Sequence, residues 1–377
     1  MVTRDAEGAA LVAHLCGHAP TYFANVRSNH LAVDLLAMQR HRFSRIYRFR
    51  ITGSACEHDV LAKALAVSGR ATEAFRRDRP RLASIRDWEN VRPRLEYRSL
   101  SVAFEHFRRL DDPRLGAVRP LDYIPELRAI VMEVVEQPTL RRLVWKSARR
   151  WSSARQADVD RAVRHAGAWL REFHAFPPDE NETATLREDR ADVVGALAAY
   201  GRFLEQELDD ARSFADAVAT ASRRAPALLP TTLPLGLGHG DFAPRNVFVS
   251  AEGRVTVVDM IGKWRVPIYE DLAYFITALR AAGPQRLTYG LALPRERLDR
   301  LERELLAGYF RDEEVPRGAV TVFELLLLLD KWASFASRRG TERLPRRAMR
   351  AANEKLSKLY FLREVNRLVA DLATAKA

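Results

Sequence analysis

Lysine is scarce in this chain. Only seven of its 377 residues are lysine, although the formal net charge is +12, so arginine carries almost all of the positive charge. Cysteine is scarcer still. Cys16 and Cys56 are the only two, which excludes a multi-bridge disulfide framework and fits a reducing cytoplasm. Long apolar runs are missing too. The longest obvious one, Leu325–Leu329, is far too short to span a bilayer. The N-terminus carries Asp5 and Glu7 and no long apolar core, so it does not read as a secretory signal. These absences predict a soluble, cytoplasmic protein. There is no block of like charge and no DNA-reading motif, so nucleic acid is not expected as a partner. Nothing in the sequence bears on the oligomeric state.

What is present is ordinary for a globular protein, with 47% hydrophobic and 29% charged residues. The length permits two lobes and a sizeable core. The arginine excess either draws anions, such as ATP, a phosphorylated acceptor, an anionic glycan or a membrane surface, or reflects the base composition of the genome.

The stretch from Leu237 to Leu279 carries the chemistry. Val247–Ser250 and Val255–Val258 are short β-branched and aromatic runs flanking Ala251-Glu252-Gly253, which predicts a hairpin. A hairpin brings its ends together. Asn246 enters it and Asp259 leaves it, so an amide oxygen and a carboxylate meet where a hard cation such as Mg²⁺ would suit them. Asp241 lies five residues before Asn246, in a loop stiffened by Pro244, where its carboxylate is placed to accept a proton from a hydroxyl nucleophile. Base, amide and metal carboxylate in that order form the loop of kinase-type phosphoryl transfer. Gly236-x-Gly238-x-Gly240 follows a proline-rich run rather than a strand, so it does not read as a dinucleotide fingerprint. His239-x-Asp241 lacks a second His/Asp cluster with ligand spacing.

His239-Gly240-Asp241 with Asn246, then Val257-Val258-Asp259, then Asp271-Leu272-Ala273, resembles the aminoglycoside phosphotransferase and choline kinase-like family. The resemblance implies an α+β, bilobal protein-kinase-like fold, with a small β-rich N-terminal lobe and a larger, mainly helical C-terminal lobe. It implies ATP-dependent phosphorylation of small hydroxylated molecules. Asp241 would be the catalytic base, Asn246 and Asp259 would hold Mg²⁺, and His239 and Asp271 would brace the catalytic loop. Residues 1–135 would form the nucleotide-binding lobe with an N-terminal extension. Residues 136–377 would carry the catalytic loop, the metal site and the acceptor site.

The small lobe follows from that outline. Ala9–Cys16 and Leu31–Met38 read as short helices against its back. Ser44–Ile51 alternates like a half-buried strand, and Val60–Val67 reads as a second strand or a short buried segment. Lys63, flanked by apolar residues, is either a snorkelling surface lysine or the lysine that the resemblance assigns to the ATP phosphates. Its expected partner is Glu96, in the first turn of a helix over 93–109, with Glu89 and Glu105 as rivals. Strands are predicted at Arg119–Tyr123 and Ala129–Glu133. By the resemblance, Glu133-Val134-Val135-Glu136, at the end of the second of these strands, is the hinge whose backbone meets adenine. Met132 and Val134 either line that pocket or pack in ordinary core.

Helices are predicted over 158–176, over 191–225 with a break near Gly201, and over 294–311, 319–337 and 345–373. His174 reads as structural. Tyr360, Phe361, Trp332 and Arg338 either reach the acceptor or pack as core. The family pattern is not complete. No Gly-rich phosphate loop is present, since the stretch over 44–109 that carries the first predicted strands and Glu96 has only Gly53 and Gly69 as glycines. Asp259 is followed by Met260-Ile261-Gly262 and then by the basic Lys263-Trp264-Arg265. A basic site suits a polycationic aminoglycoside poorly, so a sugar, a glycan precursor or another neutral or anionic hydroxyl compound is the expected acceptor. The alternative is an inactive, nucleotide-binding pseudokinase. A kinase acting on proteins is disfavoured, because no Arg stands between His239 and Asp241 and no Ala-Pro-Glu follows.

Overall fold

The computed structural model describes residues 6–27, 31–41, 44–54, 56–65, 80, 92–149, 153–177, 184–208, 212–262, 264–337 and 344–375. Helix α1 (Ala6–Tyr22) is followed by strands β1 (Ala32–Arg40), β2 (Ser44–Thr52) and β3 (Glu57–Leu65). Then come helix α2 (Arg92–Leu110) and strands β4 (Leu115–Ala117), β5 (Pro120–Ile124) and β6 (Ala129–Glu133). Five of these strands form a sheet in the order β1-β2-β3-β6-β5, with every neighbouring pair antiparallel.

Side-chain alternation divides the sheet into two faces. Tyr47, Phe49 and Ile51 of β2, Val60, Ala62 and Ala64 of β3, and Ala129 and Val131 of β6 are buried with Leu11, Leu15 and Ala19 of α1. That helix therefore covers the back of the sheet, as expected for the N-terminal segment. The opposite face carries Leu61, Lys63, Ile130 and Met132 and turns towards α2 and the larger core.

One element differs from expectation. The segment around Leu31–Met38 is the edge strand β1, not a helix. Its leucines, alanine and methionine favour a helix in isolation, but backbone pairing with β2 overrides that preference. Leu35, Leu36 and Met38 stay exposed, as a two-sided edge strand permits.

Helices build the rest: α3 (Leu140–Arg149), α4 (Ser153–His174), α5 (Arg190–Glu205), α6 (Arg212–Leu228), α7 (Ile268–Arg280), the short α8 (Gly283–Leu287), α9 (Arg295–Phe310), α10 (Arg317–Ala336) and α11 (Leu344–Thr374). The break expected near Gly201 falls instead after Glu205, because Gly201 lies within α5 where Val218 of α6 packs against it. Two small sheets sit among these helices. In one, β10 (Val255–Val257) pairs with β9 (Val247–Val249) and with β4. In the other, β11 (Trp264–Pro267) lies between β7 (Ala184–Thr185) and β8 (Leu235–Leu237). The chain thus has a sheet-based lobe and a helical lobe, the mixed α+β arrangement expected. No described helix is long and apolar enough to cross a membrane.

Candidate active site

The expected hairpin forms, with Val247 opposite Val257 and Val249 opposite Val255. Asn246 carries the chain into it, and the Val258 N–H donates to the Asn246 carbonyl at 3.0 Å. Asn246 and Asp259 therefore sit at one end, as the hairpin geometry requires. The Asn246 side-chain NH₂ donates to the Asp241 carbonyl at 2.9 Å and to Asp241 Oδ2 at 3.0 Å. With its donors committed there, Asn246 presents only its Oδ1 acceptor elsewhere.

Asp271, at the start of α7, organises the loop before the hairpin. Its carboxylate accepts the His239 N–H at 2.6 Å and the Gly240 N–H at 3.1 Å. His174 Nε2 donates to the same group at 3.2 Å, and the Tyr309 hydroxyl donates to His174 Nδ1 at 2.8 Å. A carboxylate can only accept, which sets the direction of these bonds. Burial raises the proton affinity of Asp271, but the His174 and His239 donors outweigh it and hold the group below the ordinary carboxylate range. Gly240 has φ +79°, a left-handed conformation that glycine adopts without strain. His239 is fully buried among Trp169, Phe173 and Phe242. Burial lowers its pKa, so the ring is neutral. The Asp241 N–H donates to its Nδ1 at 3.3 Å, which places the ring proton on Nε2.

Asp241 projects from this braced loop and is partly exposed. Its Oδ1 accepts the Tyr274 hydroxyl at 2.8 Å and forms an ion pair with Arg245. Neither Arg245 nor Tyr274 stood out in the sequence. The i,i+4 spacing from Asp241 to Arg245 was the only available signal, and it is a common one. Tyr274 needed the tertiary fold to bring α7 back across the loop.

Lys63 and Glu96 meet as expected, at 2.5 Å, both buried. The rival Glu105 pairs with Arg108 on the exposed side of α2, and Glu89 lies outside the described residues. Lys63 also donates to Asp259 Oδ1 at 2.6 Å, a contact across 196 residues of sequence. Burial opposes the ammonium charge, but the two carboxylates more than compensate and raise the Lys63 pKa. Asp259 is held below its ordinary value, since Lys63 outweighs its burial. Its φ of +62° is unusual for a non-glycine residue and aims the carboxylate back towards Lys63 and the hairpin. Ser99 of α2 donates its hydroxyl to the Ile261 carbonyl at 3.0 Å, so the helix that carries Glu96 also grips the chain just beyond Asp259.

Met132 shares the Lys63 face of the sheet and is buried in the larger core. Alternation turns the Glu133 side chain to the other face, where it pairs with Arg119 at 3.0 Å. The Glu133 N–H donates to the Arg119 carbonyl at 3.0 Å. Val134 is half-buried, and residues 134–136 belong to no strand or helix. Among the acceptor candidates, Phe361 lines a cavity of about 240 Å³ with Tyr274, Arg286, Asp330 and Lys331. Trp332 stacks on Phe361 in the core, and Tyr360 is buried with its hydroxyl on the Arg280 carbonyl. Arg338 and Lys263 lie outside the described residues. Lys331 was missed. Lysine is rare here, but Lys331 stands between Asp330 and Trp332 and so lacks the apolar flanks that marked Lys63.

Mg²⁺ is usually bound by one or two carboxylate or amide oxygens together with substrate phosphates and water. Among the described residues no cluster of three or more His, Cys, Asp or Glu side chains could hold a metal by itself. The Asn246 amide oxygen beside Asp259 fits the sparse kind of site. Ile46 of β2 pairs with Lys63, and the sequence between β1 and β2, residues 41–43, contains no glycine.

The phosphotransferase enzyme family model matches residues 69–318, more than half of the chain. No curated protein sequence matches. Among solved structures, an ethanolamine kinase of Plasmodium vivax is similar over 97% of this chain and 89% of its own, at 9% identity and a TM-score of 0.54. A type I macrolide 2'-phosphotransferase is similar over 100% of both chains, at 15% identity and a TM-score of 0.50. A choline kinase of Streptococcus pneumoniae is similar over 97% of this chain and 100% of its own, at 13% identity and a TM-score of 0.46. At such identities the first two likenesses establish a shared protein-kinase-like fold. The chain belongs to the phosphotransferase enzyme family and is a phosphoryl-transferring enzyme with an alcohol group as acceptor.

Proposed function

We propose that this protein transfers the γ-phosphoryl group of ATP, with Mg²⁺, to a hydroxyl of a small molecule, a sugar or glycan precursor being the preferred class. The observation that carries the reading is the Lys63 contact with both Glu96 and Asp259, beside Asn246 and Asp241. It joins a phosphate-binding cation from β3 to two oxygen ligands for a metal and a base from the loop and hairpin over 241–259. Residues 1–135 serve as the nucleotide lobe and 136–377 as the catalytic lobe, with adenine meeting the backbone and side chains around Met132, Glu133 and Val134.

Each residue then has a defined task. Glu96 holds Lys63 in position, and Lys63 neutralises phosphate oxygens. Asn246 and Asp259 supply oxygens for the metal. Bound Mg²⁺ would offset the negative charge of the phosphates. His239 and Asp271 keep the loop rigid, so that Asp241 meets the acceptor. The acceptor hydroxyl passes its proton to the Asp241 carboxylate. Its oxygen bonds to the γ-phosphorus as the bond to the bridging oxygen breaks and ADP leaves. Arg245 and Tyr274 occupy Asp241 Oδ1 in the free enzyme, and the hydroxyl displaces at least one of them.

Nucleotide binding tests the site. ATP with Mg²⁺ should raise the melting temperature by mass action, and Asp259→Ala should abolish the Mg²⁺-dependent part. Asp241→Asn should bind nucleotide normally but turn over roughly 10²–10⁴-fold more slowly. Near-normal turnover by Asp241→Asn would remove the base from the scheme. The glycine-free β1–β2 connection favours a second reading, a nucleotide-binding protein without turnover. Mg²⁺-dependent binding without ADP formation on any hydroxylated acceptor would select it.

A further inference from the structure

The cavity beyond Tyr274 has a charge pattern that the phosphoryl-transfer site does not use. Tyr274 is the shared wall. Its hydroxyl donates to Asp241, and its ring faces Lys331 Nζ at 5.7 Å from the centroid. Lys331 has no carboxylate partner within ion-pair distance among the described residues. Arg286 stands opposite, its guanidinium 4.8 Å from the centre of the Phe335 ring and 5.8 Å from that of Phe361. It is held there by the Ala281 carbonyl at 3.2 Å and the Ser357 hydroxyl at 3.1 Å. Asp330 is the one acid in the lining, and its Oδ1 accepts the Tyr200 hydroxyl at 2.5 Å. Two cations thus face one carboxylate that is already engaged.

A half-buried ammonium without a counter-ion is costly, and in this setting it is an anion site waiting to be filled. We propose that the acceptor carries an oxyanion, a carboxylate or a phosphate, which sits against Lys331 and Arg286 while its hydroxyl reaches Asp241 around Tyr274. This rests on the phosphoryl-transfer reading for the hydroxyl, whereas the anion seat stands on the cavity itself. Phe335, Phe361 and Tyr274 supply apolar walls for the body of the ligand. At about 240 Å³ the cavity suits one small polar molecule or the end of a larger one. The positive field also rejects cationic acceptors by like-charge repulsion. Burial, followed by Arg245 and Arg286, already presses the free Lys331 ammonium down to about 8, against Asp241 and Asp330, and a bound oxyanion relieves that stress.

Four probes that share one ring test the proposal: glucose, glucuronate, glucose 6-phosphate and glucosamine. Their binding is measured calorimetrically, without nucleotide, to wild type, Lys331→Met and Lys331→Glu. Glucuronate or glucose 6-phosphate should bind roughly ten- to a hundredfold more tightly than glucose, the worth of one charge-assisted hydrogen bond. The better of the two identifies the oxyanion. Lys331→Met should erase the preference and Lys331→Glu should shift it to glucosamine. The melting-temperature rise with ATP and Mg²⁺, read on the same variants, should be unchanged. Loss of that rise in wild type counts against the kinase reading and leaves the calorimetric result intact. The anion seat is overturned if glucose or glucosamine binds as well as the anions, if the preference survives in Lys331→Met, or if none of the four binds.

Discussion

Asp271 and Lys331 face opposite electrostatic problems, and their contrast explains how single residues shape this site. Asp271 is a fully buried charge whose partners are all in place: two backbone N–H groups and the His174 ring. It is therefore stable as a carboxylate and can hold His239 and Gly240 in register. Lys331 is a half-buried charge whose nearest charged neighbours include two further cations, Arg245 and Arg286, as well as Asp241 and Asp330. Its pKa of about 8 makes anion affinity depend on pH. The protonated form is the one that binds an oxyanion, so affinity for glucuronate or glucose 6-phosphate should be full near pH 7 and fall as pH rises through about 8. Lys331→Arg, which keeps its proton throughout this range, should flatten the profile. A wild-type profile that is flat from pH 7 to about 9 would remove Lys331 as the titrating group.

At the scale of elements, α2 decides how the sheet and the hairpin meet. Beginning at Arg92, it supplies Glu96 to Lys63 from its second turn rather than its first, and three residues on the Ser99 hydroxyl donates to the Ile261 carbonyl. Gly262 has φ +60°, and a Cβ there would lie 2.2 Å from the Ser99 hydroxyl oxygen. Gly262→Ala therefore meets both a left-handed backbone, worth roughly 1–2 kcal/mol, and a clash with α2. The segment that carries Asp259 should move away from the helix. The expected result is about a tenfold or greater loss of Mg²⁺-dependent nucleotide affinity, with the melting temperature of the nucleotide-free protein reduced only modestly. Unchanged nucleotide affinity in Gly262→Ala would mean that the grip of α2 on this segment does not position Asp259.

For the whole molecule, the joint between the lobes is aromatic as well as ionic. Trp169 is completely buried in α4. It stacks on Phe107 of α2, on Phe173 and on Phe242 of the Asp241 loop, and its indole N–H donates to the Gly116 carbonyl at 2.8 Å. It therefore ties the Glu96 helix, the strand β4 and the Asp241 loop into one core. Trp169→Ala should cost about 3–5 kcal/mol through cavity formation and lost packing, read as a lowered denaturant midpoint. Trp169→Phe should retain part of that stability. A negligible shift in Trp169→Ala would show that these elements are held together by other contacts.

The hairpin, the meeting of Asn246 and Asp259 at its end, the Asp241 loop and most helices were legible in the residue order, because each depends on local spacing: a turn between β-branched runs, or apolar residues at helical period. Lys63 was legible because lysine is rare here, and Glu96 because a helix start carries it towards the sheet. Other features depended on packing. The strand β1 has a helical composition and owes its form to hydrogen bonds with β2. The Arg245–Asp241–Tyr274 cluster joins residues that are 33 positions apart at most, yet nothing in their types marks them as partners. The cavity at Lys331 is assembled from α7, α8, α10 and α11, so its charge balance exists only once those helices are packed. Sequence by itself determined the family, the reaction class and the order of the chemical groups, since these reside in motifs of contiguous residues. Tertiary structure alone decided what lines the cavity at Lys331, because burial, and with it the desolvation of Lys331, is a property of the packed chain and not of any segment of it.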